Sequence, residues 1–140
     1  MSNRERLAFL LETVALEVEH LVGTDSRLFA APFTADMART LRDDAQLSER
    51  VDAFGARFAR LQDTLGDKLL PALLQAVGEP VGSVLDNLAR ASRLGLLPAG
   101  AERWLAVRGL RNRMVHDYQR NPEVRSEEHT SELQSPCNLV

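Results

Sequence analysis

Seven apolar residues, Leu47, Val51, Phe54, Phe58, Leu61, Leu65 and Leu69, follow one another at intervals of four, three, four, three, four and four. That spacing returns to one side of an α-helix at every turn, so it draws a single apolar stripe along a helix from about 45 to 77. A strand would need a period of two, which no segment sustains. A long helix with one apolar face has to be covered by other helices, and this requirement limits the fold more than any other feature of the chain. Ser48, just ahead of "ERVDAF", offers a later start for the helix. Gly66 and Pro71 fall inside the stripe. Proline lacks a backbone donor and collides with the preceding turn, so a kink or split is expected near residues 66–71.

The covering helices are legible too. Residues 4–22 carry Leu7, Leu10, Leu11, Val14, Val18 and Leu21 at helical spacing, and Gly23 is expected to end that helix. "GTDSRLFAAPF" then reads as a loop anchored by Leu28 and Phe29, and Thr34 as the cap of a short helix over 35–42. "GEP" at 78–80 stops the chain and restarts it into a helix over 81–93 with Val84, Leu85 and Leu88 on one side. After the turn "LGLLPAG", a last helix runs from 100 to 119 with Trp104, Val107, Leu110, Met114 and Val115 inward, closed by Asn121 and Pro122. The expected fold is all-α, an up-and-down bundle of four to five helices in one domain.

Residues 125–140 break the pattern. "RSEEHTSELQS" resembles the in-frame translation of a common short-read sequencing adapter, and "PCNLV" would continue it. Residues 1–124 are accordingly taken as the helical domain, with its natural C-terminus missing, and 125–140 as a disordered tail foreign to it. A genuine disordered polar tail is the alternative. On the adapter reading His129 and Cys137, the only cysteine, carry no functional weight. No apolar run approaches the ~18–20 residues that a membrane span needs. "MSNRERLAFLLE" lacks a signal-peptide core. A cytoplasmic protein without disulfides is expected.

The net charge of −3 argues against a generally basic nucleic-acid binder. Charge is nevertheless unevenly spread. From Arg103 to Arg120 there are five arginines, Arg103, Arg108, Arg111, Arg113 and Arg120, against one acid, Asp117. Such a stretch suits a focused anionic site, but on charge alone a solvated helix face with salt bridges to its neighbours is the favoured reading. Within it "RNRMVHDY", residues 111–118, gathers two arginines, an asparagine, a histidine and a tyrosine in about two helical turns. Arg108, Asn112 and His116 share one face, and Arg111, Val115 and Tyr118 the adjacent one. Arg111 and His116 stand about 140° apart on a straight helix. Arg111 must therefore use its reach to join His116, or a second copy of the helix supplies the partner.

Histidine moves protons near neutral pH, and arginine grips a phosphate with a planar fork. RNA brings its own nucleophile, the 2′-hydroxyl, so a base and a phosphate-holding cation suffice to cleave its backbone. No metal or other cofactor is called for.

"RNRMVHDY" resembles the R-x4-H-x-Y signature of HEPN-domain ribonucleases, particularly the HepT-like toxins: Arg111, His116 and Tyr118 match the fixed positions, and Asn112 the polar residue that often follows the arginine. "RFARLQDTLGDKLLPALL" is similar to that family as well. The resemblance covers most of residues 1–120 and implies a small helical bundle that dimerises, with both protomers' motifs meeting in a cleft where RNA is cut without metal. It also implies a partner, a minimal nucleotidyltransferase antitoxin that in some pairs attaches AMP to the motif tyrosine, here Tyr118. On this reading the chain is the toxin of a toxin–antitoxin pair. Arg111 and His116 are catalytic, Asn112 and Tyr118 support them, and Arg108 and Arg113 attract the RNA backbone. Two other readings stay open: a non-catalytic HEPN-like subunit that binds a nucleotide or the nucleotidyltransferase itself, and a helical dimer whose motif is a salt-bridged interface.

Overall fold

The computed structural model describes the backbone of residues 1–120 and the side chains of residues 1–114. The helices are α1 (Asn3–Leu28), α2 (Ala35–Arg39), α3 (Ala45–Asp63), a π-helical segment (Thr64–Leu69), α4 (Leu70–Ala76), α5 (Val84–Arg93) and α6 (Gly100–Arg120). From α3 to α4 the rod is continuous, so the described residues form an all-α bundle of five helices with no strand. Side-chain contacts fix the directions of the long rods. Arg57 on α3 donates to the His20 carbonyl and the Thr24 hydroxyl of α1, while Thr64 pairs with Glu17, so α1 and α3 are antiparallel. Asp63 meets Arg111 and Asp67 meets Arg108, so α6 is antiparallel to the same rod.

Helix α1 begins with a capping box: the Ser2 hydroxyl accepts from the Glu5 amide, and the Glu5 carboxylate accepts from the Ser2 amide. It does not end at Gly23 as the sequence suggests. The row Leu21, Thr24 and Leu28 is buried at helical spacing, and the Thr24 hydroxyl bonds back to the His20 carbonyl. Burying Leu28 outweighs the cost of a single mid-helix glycine, which is about 1 kcal/mol. The expected loop therefore shortens to the residues between Leu28 and the Thr34 cap, whose hydroxyl accepts from the Met37 amide. Not all of α1's apolar residues turn inward. Leu11, Leu16 and Val22 are more than half exposed, at 53%, 54% and 53%, and Val18 is exposed too.

Helix α3 starts at Ala45, with Asp44 rather than Ser48 as its cap. Leu47, Phe54 and Phe58 of the stripe are buried, and Phe29 meets Phe54 edge-on with ring centres 5.5 Å apart. The break expected near 66–71 is real and takes a specific form. The Leu70 amide bonds to the Leu65 carbonyl, five residues back, and Pro71 opens α4 where its missing amide matters least. The extra residue in that turn shifts the inward phase, so the stripe passes from Leu65 to the buried Leu70 and Leu74 instead of Leu69. Leu70 and Leu74 join Leu88, Ala91 and Trp104 in a second apolar cluster beside the main one around Phe54.

Helix α5 is shorter than its sequence span and capped by Ser83, which accepts from the Asp86 amide. Leu85 does not face inward; it is 63% exposed. Leu88 and Ala91 define the buried face, and Asn87 shares it, its side chain accepting from the Gly82 amide and donating to the Gly82 carbonyl. That pair of bonds closes the loop ahead of α5 and leaves Leu85 on the outer side. Gly78, Gly95 and Gly100 carry positive φ angles and turn the chain at the ends of α4, α5 and the α5–α6 loop. Among the described residues no helix is long and apolar enough to cross a membrane.

Candidate functional site

Helix α6 is anchored by Val107 and Leu110, both buried, with Trp104 and Met114 partly so. Trp104 belongs to the second apolar cluster and Met114 lies against the first. Between them Arg108 and Arg111 lie one turn apart, each partly buried. Their heads turn to the neighbouring rod. Arg111 donates from Nη2 to Asp63 Oδ2 at 2.8 Å and from Nη1 to Asn112 Oδ1 at 3.2 Å. Arg108 donates from Nη2 to Asp67 Oδ1 at 3.5 Å, the long end of a hydrogen bond. A methyl group at Gly66 would stand 3.1 Å from Arg108 Nη1 and 3.6 Å from the Trp104 ring, so a bare glycine backbone makes room for the arginine.

The structure thus brings Arg108, Arg111 and Asn112 together at one side of the bundle. Arg113 is exposed. Val115, His116 and Tyr118 lie on the C-terminal part of α6, but their side chains fall outside the described residues; Asn121, Pro122 and the tail from 125 to 140 fall outside altogether. From Arg103 to Arg120 the five arginines face one acid in sequence; in three dimensions Asp63 takes Arg111 and Asp67 takes Arg108. The salt-bridged helix face that charge alone favours is what Arg108 and Arg111 form.

These two acids are the members of the site that sequence reasoning missed. Both lie on the polar side of the long stripe, four residues apart, in "QDTLGD". Their spacing marks them as neighbours on one helix face, yet nothing in it tells which helix packs there. The pairing also leaves donors unfilled. Arg108 Nη1, Arg111 Nε and Trp104 Nε1 are buried without an acceptor, while Gln62 Oε1 on α3 is buried without a donor. A buried donor left unpaired costs on the order of 1–3 kcal/mol, so the cluster is polar, partly enclosed and incompletely satisfied.

Chemically, the arrangement offers two neighbouring guanidiniums, each held by one carboxylate oxygen, with Asn112 Oδ1 as a second partner of Arg111. Planar guanidiniums are the groups that bind phosphate oxygens in pairs. A separate cavity of about 270 Å³, lined by Phe9, Thr13, Glu17, Thr64 and Lys68 among others, opens between α1 and the π segment and includes none of the motif residues. Compared with family models, curated proteins and solved structures, the chain matches none.

Proposed function

We propose that the chain is a metal-independent RNA endonuclease of the HEPN type, acting in the cytoplasm as the toxin of a toxin–antitoxin pair. The observation that carries the reading is that the R-x4-H-x-Y run lies on one uninterrupted helix of an all-α bundle, with the Arg111 side chain partly exposed at its edge. In the proposed reaction His116 moves the proton. It takes it from the ribose 2′-hydroxyl as the oxygen attacks the adjacent phosphorus, or gives one to the 5′-oxygen as the P–O bond breaks. The products are a 2′,3′-cyclic phosphate and a free 5′-hydroxyl. Arg111 stabilises the charge that builds on the phosphorane, Asn112 steadies the guanidinium through its bond to Nη1, and Arg108 and Arg113 bind the RNA backbone once it is in contact. A second copy brings its own motif to the cleft. Tyr118 is the residue that a nucleotidyltransferase antitoxin would modify with AMP.

One observation favours a second reading. Arg108 and Arg111 are already paired with Asp67 and Asp63, which suits a non-catalytic subunit that binds a nucleotide or the nucleotidyltransferase. Incubation with mixed cellular RNA in excess chelator separates the two, with folded His116→Ala alongside. Cleavage by the unmodified protein alone supports the ribonuclease. Absence of cleavage by both, together with tight nucleotide binding, supports the binding subunit.

A further inference from the structure

The two ion pairs sit at different spacings on their helices. Asp63 and Asp67 are four residues apart, Arg108 and Arg111 three. On regular α-helices these steps advance ~6 Å and ~4.5 Å, so two straight antiparallel helices would leave the pairs ~1.5 Å out of register. The rod changes form where the correction is needed. The π segment begins at Thr64, immediately after Asp63, and contains Asp67. A π turn holds more residues and advances less with each, which shortens the acidic step towards the basic one. Gly66, next to Asp67, clears the space for Arg108.

The exposures are ordered as well. The side chains of Asp63 and Asp67 are 43% and 45% exposed, those of Arg111 and Arg108 only 23% and 24%. A phosphate approaching from solvent meets the carboxylates before it meets the guanidiniums. Each guanidinium meanwhile keeps a buried donor without an acceptor, Nε of Arg111 and Nη1 of Arg108. One carboxylate oxygen therefore does not satisfy either guanidinium in full.

We infer that Asp63 and Asp67 are built-in counter-anions that occupy Arg111 and Arg108 in the resting protein, so that a phosphodiester must take the guanidiniums from them. The carboxylates thereby set how tightly the site holds phosphate. This rests on the reading that the α6 arginines receive RNA phosphate, whether or not cleavage follows. The exchange is one of partners only: the guanidinium leaves a carboxylate for a phosphate of the same sign, and the freed carboxylate returns to water.

The test is the affinity of the full chain for a 2′-O-methyl oligoribonucleotide, which cannot be cleaved by its own 2′-oxygen, and for inorganic pyrophosphate. Asp63→Asn keeps the shape and removes the charge; Asp63→Ser is a second variant should the first fold poorly. Tightening of ~5-fold is expected for Asp63→Asn, the upper end for a partly exposed pair, and less for Asp67→Asn, whose contact is longer. Glu12→Gln, on an exposed position of α1, controls for the loss of one negative charge anywhere on the surface. The gain must vanish when Arg111→Ala is added, because the effect acts through that side chain. A gain no larger than that of Glu12→Gln, a gain that survives Arg111→Ala, or no gain at all overturns the inference. Binding of neither probe by any variant overturns it too. RNA cleavage by the unmodified protein is scored separately. Cleavage without the Asp63 effect defeats this inference and spares the ribonuclease; the effect without cleavage does the reverse.

Discussion

The amide of Leu70 bonds to the carbonyl of Leu65, not to that of Gly66. This one-residue slip carries the apolar stripe from the Phe54 cluster to the Leu74 cluster and, on the opposite face, sets Asp67 beside Arg108. Core and candidate site share one irregular turn.

If the extra residue makes the π turn, removing one exposed residue from it should restore a regular helix. Deletion of Lys68 combined with Pro71→Ala keeps Leu65 and Leu70 in phase, now four apart, and restores a backbone donor. We expect a folded protein whose midpoint of thermal unfolding, followed by circular dichroism, is no lower than that of the parent. Loss of cooperative unfolding would show that the turn is itself required for packing.

Phe54 is fully buried between Phe29 and Phe58. Phe54→Ala should cost about 3–5 kcal/mol, read from urea unfolding of the two proteins. A loss under about 1 kcal/mol would mean that the two aromatic neighbours collapse into the space.

Asn87 is buried and holds both backbone groups of Gly82. Asn87→Ala should lower stability by about 1–2 kcal/mol and release the loop ahead of α5. Amide exchange should accelerate around Gly82 and Ser83 before it does so in α3. Uniform acceleration across the chain would point to a global rather than a local role.

Arg111 contacts Asp63 and Asn112 through two different nitrogens. A lysine keeps the charge but has no planar fork. Under the proposed function Arg111→Lys should therefore cleave RNA about as poorly as Arg111→Ala, with at least a tenfold fall in kcat/KM, while changing stability by less than about 1 kcal/mol. Activity of the lysine variant near that of the parent would reduce the role of Arg111 to its charge.

What could be read from the sequence was whatever repeats at short range. The 47–69 stripe, the Thr34 cap, the break near Pro71 and the last helix through Trp104, Val107 and Leu110 all show as spacing or local chemistry. The misses share a cause. Gly23 looked like a stop because its local cost is visible, whereas the burial of Leu28 against another helix is not. Leu69 and Leu85 were placed inward by counting threes and fours; a π turn and the Asn87 clasp on Gly82 moved the real faces elsewhere. Asp63 and Asp67 were invisible as partners of Arg111 and Arg108, because 48 and 41 residues separate the members of each pair. For His116 and Tyr118 the sequence remains the whole argument.

The acidic partners of α6 also bear on how an RNA would find this protein. An unpaired arginine projects a field that reaches about a Debye length, ~8 Å at physiological ionic strength. An arginine beside a carboxylate presents a dipole, whose field dies away far sooner. Arg108 and Arg111 thus contribute little to long-range capture of a polyanion. Encounter by way of these two side chains is governed by diffusion and contact, and its rate should depend only weakly on salt.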